Sequence, residues 1–481
     1  MAHLTVRRGT LQPRLLHIGF GGFARAHTVA VVQRMLDALP AAQADWGIRV
    51  ARLHSGTELL NALDTAGGSY VLVEIDNAGA RTKQIDCILG TFQPARDGGE
   101  AVVRALSEPE LIAVTLTVTE KGYCLRNGML NSEDPSVKAD LARGGWRSLP
   151  GLLVEGLNRR RTAGLPGLAL LSCDNLPENG RLLARSVLDF ARARDAGLAD
   201  WIAKTTTFPS SMVDRITPAL DNEGRALIAD LTGADDPNGI VTEPFLQWVI
   251  EDRFHGPRPP LHLGGAQFVT DIRPWEAMKL RMLNASHTML AHLGGLLGFQ
   301  TIDECMGDNR LVEAARRLML DEAAPTLPPL AGADLPGYGQ ALLARFANTH
   351  LRHRCSQIAT DTSQKLPQRL LAPITWHLSR GSAWPIMSLT VAGWMAWARG
   401  RDDSGRTLPL NDPLAEQIGE AGAIPDGPSY VAALLALREI FPPNLSGDPR
   451  FVSAIQSAYA SLRSEGVRTV LDRAISHRDL P

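Results

Sequence analysis

The chain has 481 residues, 49 basic against 51 acidic, a formal net charge of -2 and five cysteines. That length exceeds one ordinary core and predicts two or three domains. The balanced charge, with no long basic run, argues against a nucleic-acid duplex or an anionic membrane surface as partner and favours a small-molecule ligand.

The cysteines at 87, 124, 173, 305 and 355 are scattered without a CxxC pair, which fits reduced thiols, no disulfides and a cytoplasmic location. The opening stretch MAHLTVRRGTLQPRLLHIGFGG reads as neither a signal peptide nor a membrane span, and no apolar run reaches roughly 18 residues. No repeat is visible.

Residues 15 to 38 run as a short apolar strand, a glycine turn and an amphipathic helix, and WGIRVARL (46 to 53) reads as a second strand, so the chain opens with a βαβ unit. Gly19 and Gly21 match the first two glycines of a GxGxxG turn, Arg25 and Ala26 occupy the region of the third, and Phe23 with Arg25 joins the candidate cofactor contacts. Glycine lets the backbone approach a pyrophosphate, whose charge meets the amides at the helix start. The end of the second strand, RLHSGTE, lacks the usual ribose-gripping carboxylate; Arg52 and His54 would tolerate a 2′-phosphate, so NAD and NADP both stay open.

Further strands are predicted at YVLVEI (70 to 75), LIAVTLTV (111 to 118) and GLALLSC (167 to 173). Ligands in open α/β sheets collect beyond the carboxyl ends of strands, which points to Thr119, Glu120, Lys121, Asp174 and Asn175. Asn175 reads equally as a local cap. FPSSMVDRITP (208 to 218) is extended or looping and carries Asp214 and Arg215. From 276 onward the spacing turns helical: 277 to 298, 310 to 321, 338 to 348, 363 to 378, 385 to 398, 429 to 439 and 450 to 476. The expected fold is α/β: a Rossmann-type doubly wound sheet domain over 1–275 and a mainly α-helical domain over 276–481.

The helical half opens with KLRMLNASH (279 to 287). Counting about 100° per residue from Lys279, Glu276 falls at about 60°, His287 at about 80° and Asn284 at about 140°. These four share one side with leucines, and a buried lysine is costly unless something uses or neutralises it. A snorkelling surface lysine is the plain alternative. His292 lies five residues beyond His287, unlike the i, i+4 pair that grips a metal, so no metal site is expected.

The blocks GFGGFARAH, TVTEKGY, SCDNLPENG, FPSSMVDRITP, EPFLQWVIED, KLRMLNASH and DTSQKLPQR, spread over about residues 15 to 400, resemble the polyol-specific long-chain dehydrogenase family that includes the mannitol dehydrogenases. Within it the wording is nearest to the fructuronate reductases, also called D-mannonate oxidoreductases. The resemblance implies NAD(P)-dependent alcohol oxidation and ketone reduction in a metal-free site, on a soluble protein that is often a monomer. Carried over by motif, Lys279 is the general acid/base and Asn175 and Asn284 are amide donors to the reacting oxygen. His287 hydrogen-bonds there, Asp214 orients the site, and Glu276 relays protons. Lysine lowered from about 10.4 towards 7 to 8 suits such a role. A sugar-acid substrate such as D-mannonate needs cations for its carboxylate, and Arg354, Lys365 and Arg369 are candidates. Mannitol or arabinitol is the alternative substrate. Thr362 stands where the family usually has glycine, which bears on substrate specificity.

Overall fold

The computed structural model describes residues 9–40, 43–143, 146–330 and 332–476, in two compact units that divide between Arg273 and Pro274. The first unit is built on a five-stranded parallel sheet: β1 (Gln12–Ile18), β2 (Trp46–Ala51), β3 (Ile88–Phe92), β4 (Ala113–Leu116) and β5 (Ala169–Ser172), ordered β3-β2-β1-β4-β5. Thr207 continues the sheet beyond β5 through a parallel bridge to Ala169. The connection reverses direction at β1, so the ends of β1 and β4 form the switch point where open α/β sheets take ligands.

Strand side chains alternate between the two faces. Leu15, Ile48, Val50, Ala113 and Leu171 enter one core layer, while Leu16, Ile18, Ala51, Val114 and Leu170 enter the other. The helix Thr28–Ala38 covers the first face and Gly99–Leu106, Leu149–Thr162 and Asn179–Arg194 the second. Burial on both faces explains why these strands read as unbroken apolar runs.

YVLVEI is a strand, but it lies in another sheet: Tyr70–Asp76 pairs antiparallel with Gly79–Ile85 and parallel with Ile240–Thr242. The turn at Asn77 and Ala78 is too short for the crossover that a parallel neighbour demands. The third place in the main sheet goes to β3, which the sequence reading passed over. Ser211–Asp214 is extended and pairs antiparallel with Gln247–Glu251 in a third sheet.

His17 is the polar member of β1 and is fully buried. Its Nδ1 meets Thr115 Oγ1 at 2.8 Å and its Nε2 meets Thr117 Oγ1 at 3.0 Å, while the Thr117 hydroxyl donates to the Gly19 carbonyl at 2.7 Å. Because that hydroxyl has one proton to give, it accepts from Nε2–H. Burial pushes the ring's pKa down to about 4, so the ring is neutral and Nδ1 accepts from Thr115.

The second unit is helical. Its expected segments appear as helices, with Asn309–Arg317, Leu335–Phe346 and Pro428–Leu435 among them. Residues 450 to 476 form two helices, Pro449–Glu465 and Val467–Ser476, parted at Gly466, whose φ is +79°. The buried helix Pro385–Ala398 starts on the Glu322 carboxylate, which accepts from the amides of Ile386 (2.7 Å) and Met387 (2.8 Å). Among the described residues no helix is long and apolar enough to cross a membrane.

The neutral His17 makes stability depend on pH. The unfolded imidazole takes a proton near pH 6.5 and the folded one only near about 4, so its contribution is complete above about 6.5. It is lost at up to about 1.4 kcal/mol per pH unit as pH falls towards 4. Urea denaturation of the wild type and His17→Gln at pH 7 and 5 should show a steeper acid loss in the wild type.

Candidate functional site

The turn after β1 is shaped by sterics and by buried guanidiniums. Gly19 has φ +102°, and a Cβ there would lie 2.0 Å from the Thr117 carbonyl oxygen, so only glycine fits. Gly21 differs: its nearest obstacle is 3.8 Å away, which leaves room over the start of the helix Gly22–Ala26. The first amides of a helix have no intrahelical partner, so this turn suits a phosphate group. Phe23 is half-buried and stacks on His27 with ring centroids 4.8 Å apart.

Arg25, expected to meet the cofactor, is tied into the fold. Its buried guanidinium donates to the carbonyls of Asn238 (2.6 Å) and Gly239 (3.2 Å), so it braces the turn from within. Arg215 braces the same turn, donating to the Ala26 and Glu243 carbonyls and to Glu74.

Beyond β4, Thr119, Glu120 and Lys121 are exposed. Thr119 takes φ +64° because the Asp174 carboxylate draws in its amide (2.9 Å) and that of Val118 (3.2 Å). Asp174 also accepts from the Tyr123 hydroxyl at 2.7 Å, and burial raises its pKa. Asn179 clamps the neighbouring strand end: its Nδ2 donates to the carbonyls of Asp174 and Ser211, both at 2.8 Å. Asn175, between these two, is exposed at the carboxyl end of β5, and Asp214 is buried at the end of its strand. Tyr123 and Asn179 were missed as supports; TEKGY and DNLPENG carried them as polar residues at strand ends.

In the second unit the helix beginning Arg273–Met278 passes into a π-helical turn, Lys279–Asn284, then Ala285–Met289 and a second π turn, Leu290–Gly294. The expected even spacing of about 100° per residue therefore fails across 279 to 284, because π bonding closes i to i+5. Lys279 and Asn284 fall one turn apart. Carbonyl groups along the turn find other donors: Ser286 Oγ gives to Met282 O at 2.6 Å, and Thr288 Oγ1 to Asn284 O at 2.8 Å. Arg369 adds Nη1 bonds to Thr288 Oγ1 (2.8 Å) and Asn284 O (3.3 Å).

Lys279, Asn284 and His287 are only 8%, 8% and 7% exposed, and Glu276 is half-buried. Asn284 Nδ2 and His287 Nε2 are buried with no hydrogen-bond partner among the described residues. Native proteins leave few such atoms, and a ligand is one established reason. The His287 ring stacks on Phe346 (5.0 Å) and meets His353 edge-on (4.9 Å). Burial drives its pKa well below the ordinary value, reinforced by His353, Arg369, Arg345 and Lys365, so it stays neutral.

Lys365 donates to the Ile358 carbonyl at 3.1 Å and to that of Thr360, and burial with the neighbouring Arg369 lowers its pKa to about 8. Burial lowers that of Arg369 to about 10. Arg354, expected to contact the substrate, is exposed and bridges Thr301 through its backbone, and its neighbour His353 meets the His287 ring edge-on. His353, Phe346 and the buried Arg345 were not singled out from sequence. His292 is held by the Thr288 carbonyl at 2.8 Å and packs on Trp397. Among the described residues no cluster of three metal-ligating side chains occurs.

Residues 13–263 match the mannitol dehydrogenase Rossmann domain and residues 271–463 the mannitol dehydrogenase C-terminal domain. The chain is 43% identical to the uncharacterized oxidoreductase YeiQ of Escherichia coli K12, covering 96% of this chain and 95% of that one. It is 42% identical to D-mannonate oxidoreductase of the same organism, covering 95% of each. Among solved structures, mannitol 2-dehydrogenase of Pseudomonas fluorescens, a ternary complex with NAD and D-mannitol, superposes with a TM-score of 0.83 at 34% identity. That match covers 98% of this chain and 95% of the other.

Two substitutions separate folding from ligand approach in the glycine turn. Gly19→Ala is expected to lower stability by about 1–3 kcal/mol in urea denaturation. Gly21→Ala should stay within about 0.5 kcal/mol of wild type while weakening NADH in a fluorescence titration. Undiminished NADH affinity in Gly21→Ala would argue against a phosphate lying over that turn.

Proposed function

The chain belongs to the mannitol dehydrogenase family, and from that membership we propose that it is an NAD-dependent oxidoreductase interconverting D-mannonate and D-fructuronate. The observation that carries the substrate class is Arg369, whose Nη1 donates to the Asn284 carbonyl and to Thr288 Oγ1 beside the Asn284 amide, unpartnered among the described residues, with Lys365 and Arg345 adding positive charge around His287. A sugar acid brings the carboxylate that such a set would hold, and guanidinium pairs with carboxylate through two parallel hydrogen bonds. The 42% identity to D-mannonate oxidoreductase supports the same choice.

NAD supplies the hydride acceptor, and the residues of the chain handle the proton. As hydride leaves the substrate carbon, the hydroxyl proton must leave too, and Lys279 in its free-amine form is assigned to receive it. Asn284 Nδ2 and His287 Nε2, both buried without a hydrogen-bond partner among the described residues, are assigned to the oxygen that proton vacates. Each such donor lowers the barrier by roughly 3 kcal/mol where it behaves like other oxyanion donors. A neutral His287 suits this part, since it stabilises the oxygen without adding a proton of its own. Glu276, one turn before Lys279, is assigned to pass the proton to solvent. Asn175 and Asp214 keep the roles that their motifs carry in the family.

Neutral polyols are the competing substrate class, favoured by the full-length match to the mannitol enzyme. Following NADH absorbance with D-mannonate and D-mannitol side by side decides between them. Turnover of mannitol with mannonate inert would reject the sugar-acid reading.

Lys279→Ala is expected to lower kcat by about 10²–10⁴-fold while the NADH dissociation constant stays unchanged; near-normal turnover would refute the assigned base. The pH dependence of KM tests the carboxylate grip. Lys365 is charged below its pKa of about 8 and neutral above it, so KM for mannonate should rise as pH passes 8. That rise should vanish in Lys365→Met and be absent for a neutral polyol.

A further inference from the structure

The dinucleotide half of the proposed reaction leaves one question that the substrate site does not touch: which adenosine ribose the chain accepts. In Rossmann domains an acidic residue beyond the second strand, about 20 residues after the glycine turn, holds the 2′-hydroxyl of NAD, whereas an arginine nearby accommodates the 2′-phosphate of NADP. Here β2 ends at Ala51 and the chain continues Arg52, Leu53, His54, Ser55, Gly56. The first carboxylate in sequence is Glu58, exposed in the opening turn of the next helix, Thr57–Thr65.

Arg52 is fixed at the carboxyl end of β2. Its amide donates to the Phe92 carbonyl at 3.0 Å, which continues the β2–β3 pairing by one residue. Its guanidinium reaches back to the glycine turn, with Nη1 donating to the Phe20 carbonyl at 2.7 Å and Nε to the Ser55 carbonyl at 2.5 Å. Gly56 lies flat against it: a Cβ there would come within 2.5 Å of Nε, and φ of +90° reserves the position for glycine. The planar fork is thus oriented before any ligand arrives.

Arg25 differs in burial: it lies in the interior with its Nη1 on the Asn238 and Gly239 carbonyls. Arg52 is half-buried, and among the described residues its Nη2 has no hydrogen-bond partner. A fixed cation with a free amino group, at the strand end where the adenosine ribose is read, is suited to a phosphate monoester. The exposed His54 and Ser55 stand in the same loop.

We propose that Arg52 makes this chain a dual-specificity dinucleotide binder, holding the 2′-phosphate of NADP(H) while leaving NAD(H) acceptable. The inference rests on the nicotinamide-dinucleotide reading above, and binding rather than turnover tests it. Calorimetric titration of the full-length wild-type chain with NADH and NADPH is expected to give dissociation constants within about tenfold of each other. The fragment 2′,5′-ADP should bind at least tenfold tighter than 5′-AMP, an advantage that shrinks with added salt. Arg52→Ala should weaken NADPH at least tenfold more than NADH, with Arg52→Lys intermediate. A chain that binds NADH but takes NADPH a hundredfold or more weaker, or that does not distinguish 2′,5′-ADP from 5′-AMP, overturns this inference alone. Binding of neither dinucleotide overturns the oxidoreductase reading as well. The two fragments need no variant, so a misfolded Arg52→Ala leaves the test intact.

Discussion

Keeping an amine, an amide and an imidazole out of water on one helix is the constraint around which the second unit is arranged. Buried polar groups are costly unless partnered, and the surrounding residues answer that cost in two ways. Phe346 and His353 enclose the His287 ring, while Arg369 and Thr288 take the backbone carbonyl of Asn284. Asn284 Nδ2, His287 Nε2 and His353 Nδ1 remain without partners among the described residues. Around them the cations Arg345, Lys365 and Arg369 add to burial in favouring a neutral imidazole.

The π turn serves the same arrangement. Its wider spacing brings Lys279 and Asn284 to adjacent turns, and its carbonyls are met by hydroxyls and a guanidinium rather than by the regular ladder alone. Such turns are infrequent and concentrate at functional sites.

In the first unit the corresponding constraint is close approach. Gly19 has no room for a side chain, and His17 with Thr117 locks its carbonyl by hydrogen bonds between β1 and β4. Arg25 and Arg215 brace the turn from inside, Arg52 from the strand beyond. Three arginines near one glycine turn thus do separate work: Arg25 and Arg215 are buried within the fold, while Arg52 is half-buried at the strand end. Residue type alone does not sort them; what each guanidinium touches does.

The strand–glycine–helix opening, the helical second half and the burial of Lys279, Asn284 and His287 among leucines were all legible along the chain, because each is written in neighbouring residues and short-range periodicity. The sheet membership of Tyr70–Asp76, the role of β3, the π register and the packing of His353 on His287 were decided by the tertiary structure. Pairing partners and side-chain enclosure arise between segments far apart in sequence, and a local pattern specifies that a residue is polar or apolar without specifying what it will meet. Arg25 marks that division: sequence placed a cation in the turn, and the packing of residues 238 and 239 over it determined that its charge would face inward.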